Sequence, residues 1–286
     1  LFSEMVLIDV DKDRAEGEAM DISHGASFAG PMKIYAGGYE DVGDAAIIVI
    51  TAGANQKPNE TRLDLVQKNA KIMTDVVTQI KEQEYKGILL IVSNPVDIMT
   101  QVAMEVSGFP EYRVFGSGTV LDSARLRYHL GQHLGVDSRS VHAFVIGEHG
   151  DSEIAAWSSA NVSGVPLNSF CEMRGHYNHE GNTESIEEQV KNSAYEIIAK
   201  KDATYYGIAM VVKRICQAIV RDEKSIFPIS LRMHGEYALE DVVLSMPAIV
   251  GARGIETTIP ISLDEKEVSR LHESAEMLRE TRKEIR

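Results

Sequence analysis

The stretch Ala45-Ala46-Ile47-Ile48-Val49-Ile50-Thr51-Ala52-Gly53 decides the fold. An unbroken apolar run of this length is typical of a strand that is buried on both faces, as in a parallel sheet. The irregular segment 52–60 follows, and a long amphipathic helix is predicted from Arg62. Its apolar stripe repeats at steps of three and four residues and consists of Leu63, Val66, Ala70, Met73, Val77 and Ile80.

The same alternation of strand and helix extends to both sides. Strands are predicted at 5–10, 32–36 and 88–93, and helices over 11–28 and from Asn94-Pro95, with the proline in the first turn. This order predicts a Rossmann-type, doubly wound parallel sheet with helices on both faces. Ligands bind such sheets at the carboxyl ends of the strands, where Asp9, Gly53 and Asn94 fall.

The second half of the chain has a different pattern. We predict a helix over 121–134, a strand at 141–146, two helices within 183–220 broken near Asp202, strands at 226–233, 242–250 and 255–261, and a charged helix from Asp264. Successive strands followed by a helix indicate an α+β domain. The predicted division is a dinucleotide-binding domain at 1–117 and a catalytic domain at 118–286.

Composition excludes several classes of partner. The chain of 286 residues is 44% hydrophobic and 25% charged, as expected for a globular protein of two domains or one large α/β unit. Its net charge of −14 argues against nucleic acid and anionic membranes, and means that an anionic substrate needs specific buried arginines. Cys171 and Cys216 form no CxxC pair, which favours a reducing cytosol, and we expect neither a secretory signal nor a membrane span.

A histidine between two glycines is the first candidate for chemistry. It lies in Ile146-Gly147-Glu148-His149-Gly150-Asp151, directly after an apolar run. Histidine exchanges protons near neutral pH, so His149 is a candidate general acid/base at a strand end. The alternative is a loop histidine that caps a turn.

A helical pair supplies candidate partners for His149. Asp122 and Arg125 are three residues apart and share a helix face, whereas Arg127 lies about 200° round from Arg125. A carboxylate beside His149 would fix its tautomer, and an arginine can grip a substrate carboxylate through two parallel hydrogen bonds. The alternative is an ordinary salt bridge on the helix surface.

Other polar residues mark a cofactor and a lid. Asp9 is suited to bind the hydroxyls of an adenosine ribose, the alternative being a solvated acid at a strand end. No glycine-rich turn precedes it, and we regard Gly116-Ser117-Gly118-Thr119-Val120-Leu121 as a chance match because leucine replaces the third glycine. Gln56 and Arg62 flank a proline-containing loop that suits a lid or a mere surface loop.

A weak metal-like pattern also occurs. His176 and His179 lie near Cys171, but no second pair of ligand residues follows in the sequence. We therefore predict no metal site and a solvated segment there.

Several motifs together resemble one known family. The chain is similar to the L-lactate dehydrogenases of the lactate/malate dehydrogenase superfamily, bacterial allosteric type, over essentially its whole length and in the right order. This resemblance implies a Rossmann domain, a catalytic domain, NAD as cofactor and the interconversion of pyruvate and lactate. The motifs are TAGANQKPNETRLDL at 51–65, SNPVD at 93–97, GSGTVLDSAR at 116–125, IGEHGD at 146–151 and ATYYG at 203–207.

The resemblance also implies residue roles. His149 matches the proton donor and acceptor, Asp122 the acid that orients it, and Arg62 the lid arginine that polarises the substrate carbonyl. Arg125 matches the residue that pairs with the substrate carboxylate, and Asn94 and Thr204 match substrate-site positions. The cofactor-contacting positions are Asp9, Arg14, Tyr39, Gly53, Ala54, Ser93, Asn94 and Ser117.

Gln56 decides the expected substrate. The related malate dehydrogenases carry an arginine there, which pairs with a second substrate carboxylate. A neutral glutamine leaves that carboxylate unpaired in a closed site, so pyruvate is favoured over oxaloacetate. The alternatives are a malate or other 2-hydroxyacid dehydrogenase and a non-catalytic relative without the cofactor cradle.

The resemblance further implies regulation and assembly. Arg127 and His142 match a pair that receives fructose 1,6-bisphosphate at a subunit interface, and a homotetramer is expected; the alternative is two unrelated surface residues. The sequence departs from the family in three respects. The first strand and GxGxxG turn are absent before Leu1, Asn59 replaces a lid glycine, and Asp202 replaces a glycine before Thr204.

Overall fold

A computed structural model describes residues 1–54 and 61–285, without the side chain of Arg62. Gln56 and Asn59 therefore lie outside the described residues. The helices are α1 (Lys12–Gly25), α2 (Arg62–Glu82), α3 (Val96–Ser107), α4 (Val120–Leu134), α5 (Leu167–Met173), α6 (His179–Lys201), α7 (Tyr206–Val220) and α8 (Glu265–Glu284). The strands are β1 (Glu4–Leu7), β2 (Lys33–Ala36), β3 (Ile47–Ile50), β4 (Ile88–Ile91), β5 (Val114–Gly116), β6 (Val141–His142), β7 (Val145–Ile146), β8 (Ile154–Ala155), β9 (Asn161–Val162), β10 (Val165–Pro166), β11 (Ser225–His234), β12 (Glu240–Gly251) and β13 (Gly254–Thr258).

The main sheet has six strands in the order β13-β12-β11-β5-β4-β3. Strands β3, β4 and β5 are parallel, and their apolar residues form the centre of the larger hydrophobic core together with the buried faces of α2 and α3. The predicted stripe of α2 points into this core, where Val66, Met73 and Val77 are almost fully buried. The α/β class and the parallel arrangement predicted from the sequence are confirmed.

The first two strands form a separate parallel pair. Glu4 is in register with Lys33 and Leu7 with Ala36, and among the described residues this pair is not hydrogen-bonded to β3. Val10, Met20 and Phe28 are exposed on and around α1.

The second half continues the same sheet. Strand β11 joins β5 through the pair Ser230 and Gly116 and runs antiparallel to it, and β11, β12 and β13 form antiparallel neighbours. The two helices that were predicted around Asp202 are α6 and α7, and Asp202 ends α6 with a left-handed φ of 66°. A glycine would adopt that backbone conformation without strain, which explains why Asp202 is a notable departure from the family pattern.

Three element predictions were wrong in detail. The strand predicted at 5–10 ends at Leu7, because Ile8, Asp9 and Val10 have no strand beside them. The strand predicted at 141–146 is two short strands in different sheets, since β6 pairs with β9 and β7 with β8. Pro95 is the N-cap of α3 and precedes its first turn.

The helices differ greatly in polarity. Helix α6 has 23 residues but carries charged side chains throughout, whereas the more apolar α7 has 15 residues. Within 1–54 and 61–285, no helix combines the length and the apolar character that a membrane span requires.

Candidate active site

Helix α4 begins beneath strand β11, and this contact places its first turn. Gly118 has a φ of 51°, and a Cβ atom there would lie 2.6 Å from the backbone nitrogen of Ser230. Only glycine permits this close approach. Thr119 then donates a hydrogen bond of 2.5 Å from Oγ1 to the carbonyl of Val145, and the Ser123 hydroxyl accepts one of 2.8 Å from the Val145 amide. Helix α4 is thereby fixed to the strand that leads to His149.

The loop that carries His149 is held residue by residue. Gly147, with a φ of 84°, exchanges backbone hydrogen bonds of 2.9 and 2.8 Å with Ser245 of β12. The Glu148 amide donates to Oγ of Ser274 on α8 at 2.8 Å. The His149 amide donates to Oδ2 of Asp97 on α3 at 2.7 Å. The histidine backbone is therefore positioned by three different elements.

The structure brings His149, Asp122 and Arg125 together. Nδ1 of His149 lies 2.6 Å from Oδ2 of Asp122, and Nη1 of Arg125 donates to the other oxygen, Oδ1, at 2.6 Å. The Asp122 side chain is only 3% exposed, while that of His149 is 27% exposed. If Nδ1 donates its proton to Asp122, Nε2 is the nitrogen that can exchange a proton with a ligand.

The electrostatics of this couple favour the charged histidine. Burial by itself lowers the pKa of His149, but the Asp122 carboxylate outweighs it and raises that pKa to about 9. Burial likewise opposes the ionised form of Asp122, and the charges of His149 and Arg125 reverse this, so that its pKa is lowered. At neutral pH the couple is an ion pair in which His149 can give up a proton.

Glu153 is a further carboxyl close to the couple. It is buried, and burial together with the Asp122 charge raises its pKa to about 8. Oxygens of Glu153 and Asp122 and a nitrogen of His149 lie within 4.8 Å of one another, the one such group of possible metal ligands among the described residues. Because Asp122 already bonds both His149 and Arg125, the geometry favours proton exchange over metal binding.

Candidate cofactor residues lie at the carboxyl ends of the parallel strands. Asp9 is exposed beyond β1, Gly53 is exposed beyond β3, and the buried Ser93 beyond β4 donates from Oγ to the carbonyl of Ala52 at 2.5 Å. The Asn69 side chain holds this edge by accepting from the Ala54 amide at 2.8 Å. It also donates to the carbonyl of Asn94 at 3.0 Å.

These residues fit a dinucleotide at its two ends. A Cβ on Gly53 would have no neighbour closer than 3.6 Å, so the edge is open, and the exposed carboxylate of Asp9 can accept hydrogen bonds from ribose hydroxyls. A glycine-rich turn for the pyrophosphate is not found in the 286 residues. The fit therefore covers the ribose and nicotinamide sides of the site.

The other predicted residues are more dispersed. Arg14 lies in the exposed first turn of α1, Tyr39 is half-buried after β2, and Ser117 is buried between β5 and α4. Thr204 is half-buried in the connection between α6 and α7. Arg62 begins α2, and its side chain, like Gln56, is outside the described part of the chain.

Arg127 and His142 lie away from the His149 couple. Arg127 lies on another face of α4 with its guanidinium over the Phe144 ring at 5.8 Å; its Nε is buried without a hydrogen-bond partner, and burial lowers its pKa. His142 is exposed on β6. The predicted separation of Arg127 from Arg125 is present in the structure.

Sequence reasoning missed two residues of the site. Asp97 was quoted only within a motif and Glu153 was not singled out, yet both carboxyls are buried beside His149. The available signal was position: Asp97 lies two residues after Pro95, and Glu153 lies four residues after His149. Neither position reveals burial by itself, since acids in a first helical turn are usually solvated.

Two family models match the chain in succession. The lactate/malate dehydrogenase NAD binding domain matches residues 1–116, and the lactate/malate dehydrogenase alpha/beta C-terminal domain matches residues 119–286. The chain belongs to the lactate/malate dehydrogenase family and is an NAD-dependent oxidoreductase.

Within this family, the chain is similar to proteins named as L-lactate dehydrogenases. It is 48% identical to the L-lactate dehydrogenase of Acetivibrio thermocellus over 98% of this chain and 88% of that protein. It is 49% identical to the L-lactate dehydrogenase of Priestia megaterium with the same coverage. A minor L-lactate dehydrogenase from Enterococcus mundtii, solved in its ligands-bound form, has a TM-score of 0.97 and 41% identity over 100% of this chain and 91% of that one.

Proposed function

We propose that this protein is an L-lactate dehydrogenase that reversibly reduces pyruvate to lactate with NADH. The observation that supports this most directly is the contact of His149 with Asp122 and Arg125, in a chain nearly half identical to curated L-lactate dehydrogenases. A proton donor and a cation for a carboxylate are the two groups that reduction of a 2-oxo acid requires.

In the proposed reaction His149 moves the proton. When bound, NADH supplies the hydride that is added to the carbonyl carbon of pyruvate. The protonated His149 donates from Nε2 to the carbonyl oxygen, and Asp122 stabilises the imidazolium until that transfer. In the reverse direction neutral His149 accepts the hydroxyl proton of lactate.

Two arginines are assigned to the substrate. Arg125 is 14% exposed and faces the couple, so it can pair with the substrate carboxylate in a dry environment. Arg62 is proposed to polarise the carbonyl when the lid closes, which would stabilise developing alkoxide charge. Asn94 and Thr204 complete the proposed substrate site, with Gln56 facing the substrate methyl group.

The proposed cofactor contacts are those that lie at the strand ends. Asp9 would hold the ribose, Gly53 and Ala54 would admit close approach of the backbone, and Ser93 and Asn94 would lie toward the nicotinamide. Arg14, Tyr39 and Ser117 are proposed as further contacts. Binding there would exclude water from His149.

Substrate choice is the first test. We expect pyruvate to be turned over with a kcat/KM at least about 100-fold above that for oxaloacetate, because Gln56 cannot pair a second carboxylate. Steady-state NADH oxidation with pyruvate, oxaloacetate and a branched 2-oxo acid measures this ratio. A preference for oxaloacetate would identify a malate dehydrogenase. Absence of both NADH binding and turnover in the 286-residue chain would favour a non-catalytic relative.

We also propose that Arg127 and His142 bind fructose 1,6-bisphosphate at an interface between subunits. The buried, unpartnered Nε of Arg127 supports this, since an anion would satisfy a group that now has none. Cationic groups that meet across a two-fold axis repel until an anion bridges them, which couples the effector to assembly. We propose in addition that the protein is a homotetramer and is located in the cytosol. The proposed boundary between its two domains lies between residues 117 and 118.

The effector proposal predicts that Arg127→Gln abolishes activation by the bisphosphate. Removing the charge also removes the repulsion, so the variant should be active and assembled without effector. Pyruvate turnover and light scattering, each with and without fructose 1,6-bisphosphate, test this. Arg139→Gln is the matched control, because Arg139 is an exposed arginine paired with Asp137. An unchanged response in Arg127→Gln would refute the proposal.

A further inference from the structure

Asp97 is a buried carboxylate that the proposed mechanism does not use. It lies in the first turn of α3, is 1% exposed and accepts hydrogen bonds on both oxygens. Oδ2 accepts from the His149 amide at 2.7 Å, and Oδ1 accepts from the Ser230 hydroxyl at 2.6 Å and from that of Ser245 at 3.4 Å. A carboxylate is acceptor-only when ionised, so these three donors match its ionised form.

The contacts of Asp97 join separate parts of the molecule. Helix α3 belongs to the first half of the chain, Ser230 and Ser245 lie on β11 and β12 of the second half, and His149 lies in the loop between. Asp97 holds the histidine by its backbone, and Asp122 holds the same residue by its ring. His149 is therefore held both at its backbone and at its ring, and together these bonds fix the position of Nε2.

We propose that Asp97 is a positioning residue that fixes the His149 backbone and, through its negative charge, favours the protonated imidazole. This inference rests on the proposed role of His149 as proton donor. A displacement of a reacting group by about 1 Å can cost 100-fold in rate, so loss of this anchor should be visible in kcat.

Few charged groups act on Asp97. Burial raises the pKa of Asp97 to about 6; the Ser230 hydroxyl, the His149 amide and the His149 charge lower it, whereas Glu148 raises it. Strands β11 and β12 present serines, α8 presents Ser274 to the loop, and α4 contributes Asp122 on the far side of His149. The buried residues of α2, β4 and β5 are uncharged.

These contacts predict that kcat for pyruvate reduction falls on the acid side of its pH profile, which we call the acid limb. As pH falls through about 6, Asp97 takes up a proton, loses its charge and converts one accepting oxygen into a donor. The His149 amide or the Ser230 hydroxyl then loses its acceptor. We expect kcat for pyruvate reduction to fall on that side while His149 itself remains protonated.

Asp97→Asn and Ser230→Ala test the proposal, with Glu267→Gln as the matched control. Glu267 is another buried carboxylate that accepts two backbone amides, from Ser158 and Asp264, at the start of α8. We expect Asp97→Asn to lower kcat by about 10- to 100-fold more than Glu267→Gln, with NADH affinity unchanged. Ser230→Ala removes a bond that lowers the Asp97 pKa, so its acid limb should move to higher pH.

Kinetics between about pH 5 and pH 8, thermal midpoints and the NMR titration of the His149 ring are the measurements. Equal kcat in Asp97→Asn and Glu267→Gln, or an acid limb that Ser230→Ala leaves in place, overturns the proposal. If Asp97→Asn does not fold, the position of the acid limb in Ser230→Ala tests the proposal by itself. If the unmodified chain does not reduce pyruvate, the proposed function fails separately. A His149 pKa that Asp97→Asn leaves unchanged still refutes the role of the Asp97 charge.

Discussion

Replacement of His149 by glutamine should lower kcat for pyruvate reduction by roughly 100- to 10,000-fold, the usual contribution of a general acid. Glutamine can still accept and donate hydrogen bonds in this place, but it cannot carry a proton to the substrate oxygen. NADH affinity should stay within about twofold, because most of the proposed cofactor residues lie on other elements, beyond the ends of β1, β3 and β4. Steady-state kinetics with pyruvate and a fluorescence titration with NADH measure both quantities.

The pH profile of the unmodified enzyme provides a second signature of His149. Since its pKa is raised to about 9, pyruvate reduction should proceed with a protonated donor at neutral pH and fall as pH rises through about 9. Lactate oxidation needs the neutral ring and should rise over the same interval. His149→Gln should remove this dependence from the residual activity in both directions.

The control is His234→Gln. His234 is an exposed histidine that is bonded to Glu111, so its loss tests for a general effect of removing an imidazole. We expect normal kinetics in that variant. Residual activity above about one tenth in His149→Gln would mean that another group donates the proton.

The order of strands and helices could be predicted because each carries its own periodicity. The stripe of α2 and the apolar runs of β3 and β4 are local patterns, and their burial followed directly. The bounds of β1 and the split at 141–146 could not be predicted. A strand exists only where a neighbour supplies hydrogen bonds, and Ile8–Val10 have none, whereas 141–146 turns between partners in different sheets.

The site was predictable in part for the same reason. Asp122 and Arg125 are close in sequence, so their shared helix face could be derived, and His149 stood out by its glycines. Their contact with His149 depends on Gly118, which lets α4 approach β11, and on Thr119, which bonds α4 to β7. Neither contact was anticipated. Asp97 was missed because its partner Ser230 is distant in sequence, and nothing local marks a hydrogen bond over that separation.

Asp122→Asn is the variant that should change the chemistry of the site most specifically. The substitution preserves shape but leaves His149 and Arg125 without their shared counter-ion. Removing one partner of a buried ion pair costs about 3 to 5 kcal/mol of stability. Because the acid that orients and charges the proton donor is lost, kcat/KM for pyruvate should fall by roughly 100- to 10,000-fold. Asp137→Asn, at an exposed pair with Arg139, is the matched control and should leave stability and kcat/KM almost unchanged, because water screens this pair.

The direction of the pH shift distinguishes this effect from simple damage. Without Asp122, only the charges of Asp97 and Glu153 still oppose the effect of burial on His149, so the pKa of His149 should fall well below about 9. The optimum for pyruvate reduction should therefore move to acid pH, while lactate oxidation, which needs the neutral ring, should lose less. An unmoved profile for pyruvate reduction would show that Asp122 does not set the protonation of His149.

Stability gives an independent check of the same charges. The raised pKa of His149 contributes stability that is fully present below 6.5 and is lost as pH rises through about 9. The lowered pKa of Asp122 contributes stability above 3.8 that is lost as pH falls through its folded value. The difference in unfolding free energy between the unmodified protein and Asp122→Asn should therefore be largest between pH 3.8 and 6.5 and narrow toward and beyond pH 9. Denaturant titrations across this range measure it, and a difference independent of pH would contradict the ion pair.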